Sequence, residues 1–124
     1  MSELLYGGVD VAMKVPTHQY AEVLDFYRDV VKLKEIGDDG TRGFELGPIR
    51  LWIDEAPGMS QAEVWLELFT PDFDKAADHL QRSGIRRCDA IEPLGESFRG
   101  GWILNPANIV HMVREESTWE PPAA

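Results

Sequence analysis

The sequence predicts an α+β fold of two βαβββ units, forming a curved mixed sheet around a cup-shaped cavity with the helices on the outer face. Three observations predict it. An alternating strand that ends at proline and runs into an amphipathic helix occurs twice, with Tyr20 and Phe73 opening equivalent helix faces roughly 53 residues apart. Each helix is followed by three short strand candidates divided by turn residues. The strands carry an apolar face for a helix to cover and an opposite face that is polar and aromatic.

In the first unit, Val9, Val11, Met13 and Val15 alternate with Asp10, Ala12 and Lys14, a period-two strand that Pro16 ends. Thr17 is the expected N-cap. Tyr20, Val23, Leu24 and Tyr27 then recur at i, i+3, i+4 and i+7, continuing to Val31, which gives one apolar helix stripe. Strands are expected over 34–37, 42–46 and 49–54, divided by Asp38-Asp39-Gly40 and Gly47-Pro48. These are turn sequences because glycine tolerates positive φ and proline holds φ near −65°.

The second unit repeats the grammar. Val64, Leu66 and Leu68 alternate with Glu63, Trp65, Glu67 and Phe69, and Pro71-Asp72 marks the helix start. Phe73, Ala76, Ala77 and Leu80 form the helical stripe, with Gly84 at its C-terminal stop. Strands are expected over 86–91, 101–104 and 109–114, divided by the 95–100 region and Asn105-Pro106. The expected organisation is one domain: a first unit over about 8–54, a linker over 55–62, a second unit over about 63–114 and a loosely held tail over 115–124 with prolines at 121 and 122.

Composition bounds the function. The chain has 124 residues and 44% hydrophobic content, enough for a core in one domain. Met1-Ser2-Glu3 shows neither a basic nor an apolar leader, and no stretch approaches the roughly 18 apolar residues of a membrane span. The single cysteine, Cys88, has no internal partner for a disulfide. A cytoplasmic protein is the expectation. Twelve basic against 22 acidic residues give a formal charge of −10, which repels phosphate backbones and anionic lipid. Nucleic acid and membrane are therefore not expected partners; solubility or a preference for cationic ligands accounts for the charge.

Because helices cover one face of each sheet, the opposite faces line the cup. By alternation those faces carry Asp10, Ala12, Lys14, Arg50, Trp52, Asp54, Glu63, Trp65, Glu67 and Phe69, with His111 added if Val110 and Met112 point toward the helices. Trp52 and Trp65 read either as large apolar residues filling a dimer interface or closing the cup, or as a stacking platform for a planar or cationic ligand. In the second reading Phe69 adds a wall, and Glu63, Glu67 or Asp10 supplies counter-charge. His111 reads either as a ligand group or as a hydrogen-bonded strand histidine, while His18 and His79 read as surface residues. The sequence holds no G-x-S-x-G elbow, phosphate-binding glycine loop, C-x-x-C pair or H-E-x-x-H helix. Arg99-Gly100-Gly101-Trp102 has no following helix and reads as a rim loop.

Two segments carry a resemblance. Val11-Ala12-Met13-Lys14-Val15 followed by Phe26-Tyr27-Arg28-Asp29-Val30 resembles the first strand and "FYRDVLG" helix end of the vicinal oxygen chelate superfamily, which includes glyoxalases, extradiol dioxygenases and bleomycin-resistance proteins. Residues 105–113, Asn-Pro-Ala-Asn-Ile-Val-His-Met-Val, resemble its "DPDGNVIELV" ending with one residue missing. The resemblance spans roughly residues 9 to 114 and implies the fold; lyases, dioxygenases, isomerases and metal-free binders share it. In metal-dependent members it implies one ligand on the first and one on the last strand of each unit. Those positions fall here at Asp10, Trp52, Trp65 and His111, with Met112 in place of His111 if the missing residue is placed differently. An indole has one N–H donor and no lone pair for a cation, so two positions cannot ligate.

The leading expectation is a metal-independent binder of a small aromatic or cationic organic molecule, acting without a cofactor as a homodimer. Its site residues are Asp10, Trp52, Glu63, Trp65, Glu67, Phe69 and His111. One alternative is a lyase or dioxygenase using a divalent metal such as Zn, Fe, Mn or Ni, with Asp10 and His111 as ligands and Glu67 as ligand or general base. Another is a non-catalytic interaction module whose tryptophans are buried against a partner chain.

Overall fold

The structure, a computed structural model, describes residues 3–38 and 40–118. Met1, Ser2, Asp39 of the expected Asp38-Asp39-Gly40 turn, and the tail prolines at 121 and 122 lie outside the described residues. In chain order the elements are β1 (Tyr6–Gly7), β2 (Asp10–Val15), α1 (Thr17–Asp25), β3 (Glu35–Asp38), β4 (Thr41–Leu46), β5 (Ile49–Glu55), β6 (Glu63–Thr70), α2 (Phe73–Arg82), β7 (Arg86–Arg87), β8 (Gly100–Leu104) and β9 (Val110–Glu115). They fall into two compact units, residues 9–65 and residues 3–8 with 66–118.

In the unit of residues 9–65 the strand order is β3-β4-β5-β2, followed by the first residues of β6. β2 runs parallel to β5 and antiparallel to β6; β4 is antiparallel to both β3 and β5. The odd-numbered residues of β2 face α1, so Val15 joins Leu24, Phe44, Leu51 and Ile53 in the core, with Val11, Met13, Tyr20, Val23 and Tyr27 packed against it. Each aliphatic side chain fully buried here contributes roughly 1.5–3 kcal/mol.

Helix α1 starts at Thr17, but Pro16 occupies the cap position and no side chain caps it, so the expected Thr17 cap does not form. Its continuation, Phe26–Val30, winds as π-helix, with the Val31 N–H bonded to the Phe26 carbonyl at 2.9 Å. The wider turn advances the register. Tyr27 stays against Phe44, at 5.7 Å between ring centroids, while Val30 and Val31 are exposed and the expected apolar stripe ends short of them.

In the other unit the order is β7-β8-β9-β6, with β6 parallel to β9, β8 antiparallel to β7 and β9, and β1 antiparallel to β6. This is the same strand-helix-three-strand layout, so the duplication read from the sequence is present. Its core is Ala76, Ile103 and Val113, with Leu4, Leu5, Leu68, Phe73, Leu80 and Ile85 packed around them. Asp72 caps α2 by accepting the Lys75 N–H at 3.2 Å. Gly84 ends it at φ +81, where the Ile85 N–H reaches the Leu80 carbonyl.

The expected strand over 86–91 has only two residues in the sheet. After Cys88 the chain turns away in a 3-10 turn, Asp89–Ile91, because the Asp89 carboxylate takes the Trp102 N–H at 2.8 Å and the Arg87 guanidinium at 2.8 Å. Strand β1, absent from the sequence reading, places Tyr6 opposite Phe69.

Candidate functional site

The polar face of the 9–65 unit is organised in three rows across adjacent strands. Parallel pairing sets Asp10 beside Arg50, Ala12 beside Trp52 and Lys14 beside Asp54, while antiparallel pairing sets Ala12 beside Trp65 and Lys14 beside Glu63. Residues paired in this way point to the same face. The middle row is therefore Trp52, Ala12, Trp65: two half-buried indoles flank a side chain of one methyl group. With strands about 4.8 Å apart, the two tryptophan Cα atoms stand roughly 10 Å apart over an apolar floor.

Trp52 is laid down by a glycine. A Cβ added at Gly43, the β4 residue opposite Trp52, would meet its Cε3 at 2.5 Å, so the indole lies where any larger residue would stand. Sequence reading missed Gly43, since a glycine inside a strand signals close approach without saying of what.

Both indole N–H groups are taken by carboxylates. Trp52 Nε1 donates to Asp10 Oδ1 at 2.9 Å and Trp65 Nε1 donates to Glu63 Oε1 at 3.2 Å. Asp10 also receives the Arg50 fork, Nε to Oδ1 at 2.7 Å and Nη2 to Oδ2 at 2.9 Å, with the two side chains 17% and 18% exposed. Three donors on one carboxylate leave it committed within the chain. At the other end of the face, the Lys14 ammonium lies 3.0 Å from Asp54 Oδ2 and 4.4 Å from the centre of the Trp65 ring, with 10% of its side chain exposed. Arg50 and Lys14 thus neutralise Asp10 and Asp54, and the cation of this face is the chain's own.

The remaining candidates lie in the other unit. Glu67, with 6% of its side chain exposed, stands 3.7 Å from Arg114 and packs against Gly8, where an added Cβ would come within 2.3 Å of Oε1. Arg114 in turn lies 5.0 Å from the Phe98 ring. Phe69 is buried beside Tyr6, at 5.7 Å between ring centroids. Glu67 pairs with Met112 and Phe69 with Arg114, while Leu66 pairs with His111 and Leu68 with Val113. Since Leu68 and Val113 belong to the core against α2, His111 sits on the helix side and Met112 on the face of Glu67. The condition for His111 on the ligand face, that Val110 and Met112 point to the helices, is not met. His111 Nδ1 instead stands 3.1 Å from the Ile109 carbonyl. The turn supplies the reason: Asn108 takes φ +63, the conformation glycine fills in the "DPDGN" motif, so Asn108 stands at the motif's glycine with no residue missing between it and the strand, and Met112 falls at the motif's glutamate.

These placements test the metal set implied by the resemblance. The four positions are Asp10, Trp52, Trp65 and Met112, a carboxylate locked by a guanidinium, two indoles and a thioether, and this set does not fit a hard or borderline divalent ion. The alternative pairing of Glu67 with His111 is divided between opposite faces of one sheet. Among the described residues no three His, Cys, Asp or Glu side chains are grouped to hold an ion. A surface depression of about 310 Å³ lies on the β3–β4 hairpin, lined by Glu35, Ile36, Gly37, Asp38 and Arg42; its arginine is paired with Glu35 at 2.7 Å.

No protein-family model and no curated protein matches the sequence. Solved structures do match in shape. Methylmalonyl-CoA epimerase from Mycobacterium tuberculosis is similar at a TM-score of 0.58 and 16% identity, over 100% of this chain and 93% of that one. A glyoxalase/bleomycin resistance protein/dioxygenase superfamily member from Vibrio splendidus 12B01 is similar at 0.58 and 10%, over 86% and 97%. The Mn(II)-bound glyoxalase from Novosphingobium aromaticivorans is similar at 0.60 and 14%, over 95% of this chain and 41% of that one. At these identities the likeness shows the fold alone, the one that these solved structures share. Among the described residues, no helix is long and apolar enough to cross a membrane.

Proposed function

We propose that this protein is a metal-independent binder of a small, planar aromatic molecule, held on the face of β5, β2 and β6 between Trp52 and Trp65 and over Ala12. The observation that carries the reading is the commitment of Asp10: a residue at a metal-ligand position of this fold is held by Arg50 and orients the indole of Trp52. The neighbouring row gives a ligand two π faces and a methyl floor, and the flanking rows offer polar edges in which Arg50 offsets Asp10 and Lys14 offsets Asp54.

Of the two ligand classes expected from the sequence, the aromatic one is favoured. A cationic ligand would need the Trp65 ring and the carboxylates that Lys14, Arg50 and the indole N–H groups already use. The superfamily's metal chemistry is represented by a Mn(II)-bound glyoxalase among the similar structures, but the donors at the matching positions here are of a different kind.

The test is a titration of simple neutral aromatics, benzyl alcohol and indole among them, followed by tryptophan emission on protein prepared with and without chelator. Binding unchanged by chelator and weakened roughly tenfold in W52A and in W65A is the expected result, from a loss of about 1–1.5 kcal/mol of stacking. Binding that disappears on chelation and returns with one equivalent of divalent ion would overturn the proposal.

A further inference from the structure

We propose that Lys14 determines the ligand specificity of this face by acting as a built-in cation that keeps ammonium ligands off Trp65. The inference rests on the aromatic-binding reading above and names what that site rejects. Lys14 is the only lysine among the described residues that is buried, with 10% of its side chain exposed, and a lysine is buried only where its charge is met. Here Asp54 at 3.0 Å and the Trp65 ring at 4.4 Å meet it. Its neighbours across the two strands, Asp54 and Glu63, are both acids, so the lysine stands at the centre of a row whose other members are negative.

An indole face with a carboxylate beside it is the chemistry that recognises an organic ammonium. In this protein the recognition is already satisfied from within. A ligand cation arriving at Trp65 has either to displace the Lys14 ammonium from both partners or to stand next to it against like-charge repulsion. A neutral ring meets no like-charge repulsion from the ammonium. The four-carbon stem of Lys14 also lies along the apolar surface, so replacing it by methionine removes the charge while keeping most of that packing. Asp54, 3.0 Å from the ammonium in the native protein, is then left without that cation.

The experiment compares benzyl alcohol with benzyltrimethylammonium on the full-length wild-type protein and on K14M, K14Q and K14R, read by tryptophan emission and by calorimetry, with folding checked by circular dichroism. Wild type is expected to prefer the neutral probe by at least tenfold. K14M should lower that preference by about tenfold, the scale of a desolvated cation over an indole. K14R, which retains a cation, should keep the wild-type preference, and K14M/D54N should lose most of the gain of K14M. K14Q, neutral and able to donate to Asp54, carries the same expectation as K14M should that variant not fold. If the neutral variants keep the wild-type preference while binding benzyl alcohol, the role given to Lys14 is wrong and the aromatic site stands. If no protein binds either probe, the site and the role of Lys14 fall together.

Discussion

Removing Asp10 tests the polar face most directly, because three donors converge on its carboxylate. In D10A the Arg50 guanidinium, on a side chain 18% exposed, loses a two-pronged partner at 2.7 and 2.9 Å, and the Trp52 N–H loses its acceptor at 2.9 Å. A hydrogen bond to a charged group is worth about 1.5–3 kcal/mol, and breaking a fully buried ion pair costs about 3–5 kcal/mol. The remaining solvent contact of both side chains reduces this, so the expected loss is about 2–3 kcal/mol. R50A should cost a similar amount. The double variant D10A/R50A should be less destabilised than the sum of the two, with a coupling of about 1–2 kcal/mol, because no charge is left stranded. Urea unfolding followed by tryptophan emission measures this; at a slope of roughly 1.5 kcal/mol/M, D10A should unfold about 1–2 M earlier. A coupling under about 0.5 kcal/mol, the size found for exposed pairs, would refute the reasoning and return Asp10 to the pool of side chains available to a ligand.

Two further outcomes follow from the geometry. G43A places a methyl group 2.5 Å from Trp52 Cε3 and 2.9 Å from the Leu51 carbonyl, so it should cost about 1–3 kcal/mol and tip the indole, visible as a changed near-ultraviolet circular dichroism signal and weaker aromatic binding. Glu115 is held down to about 2, first by the Phe73 N–H at the start of α2, then by the Ser117 hydroxyl and Arg99. A depressed carboxyl contributes stability that is complete above its ordinary value of 4.5 and is lost as pH falls from there toward 2. Unfolding midpoints of E115Q should therefore fall less than those of wild type across that window; parallel curves would remove Glu115 from its place at the helix start.

The sequence by itself determined the architecture. Alternation in Val11, Met13 and Val15, helical spacing in Phe73, Ala76 and Leu80, and turn glycines such as Gly84 each depend on local periodicity, which a chain carries without reference to distant partners. Alternation likewise sorted Asp10, Lys14, Arg50, Trp52, Asp54, Glu63 and Trp65 onto one face of their sheet. It could not say which of them would neutralise one another. That Asp10 holds Arg50 and Trp52, that Lys14 covers Trp65, and that Gly43 makes room for an indole depend on the register between strands separated by some forty residues of chain, which only tertiary pairing sets. The same cause separates His111 from Glu67. Pairing with β6 sets Met112 beside Glu67 and His111 beside Leu66, and in a period-two strand one residue is the difference between facing a ligand and facing a helix.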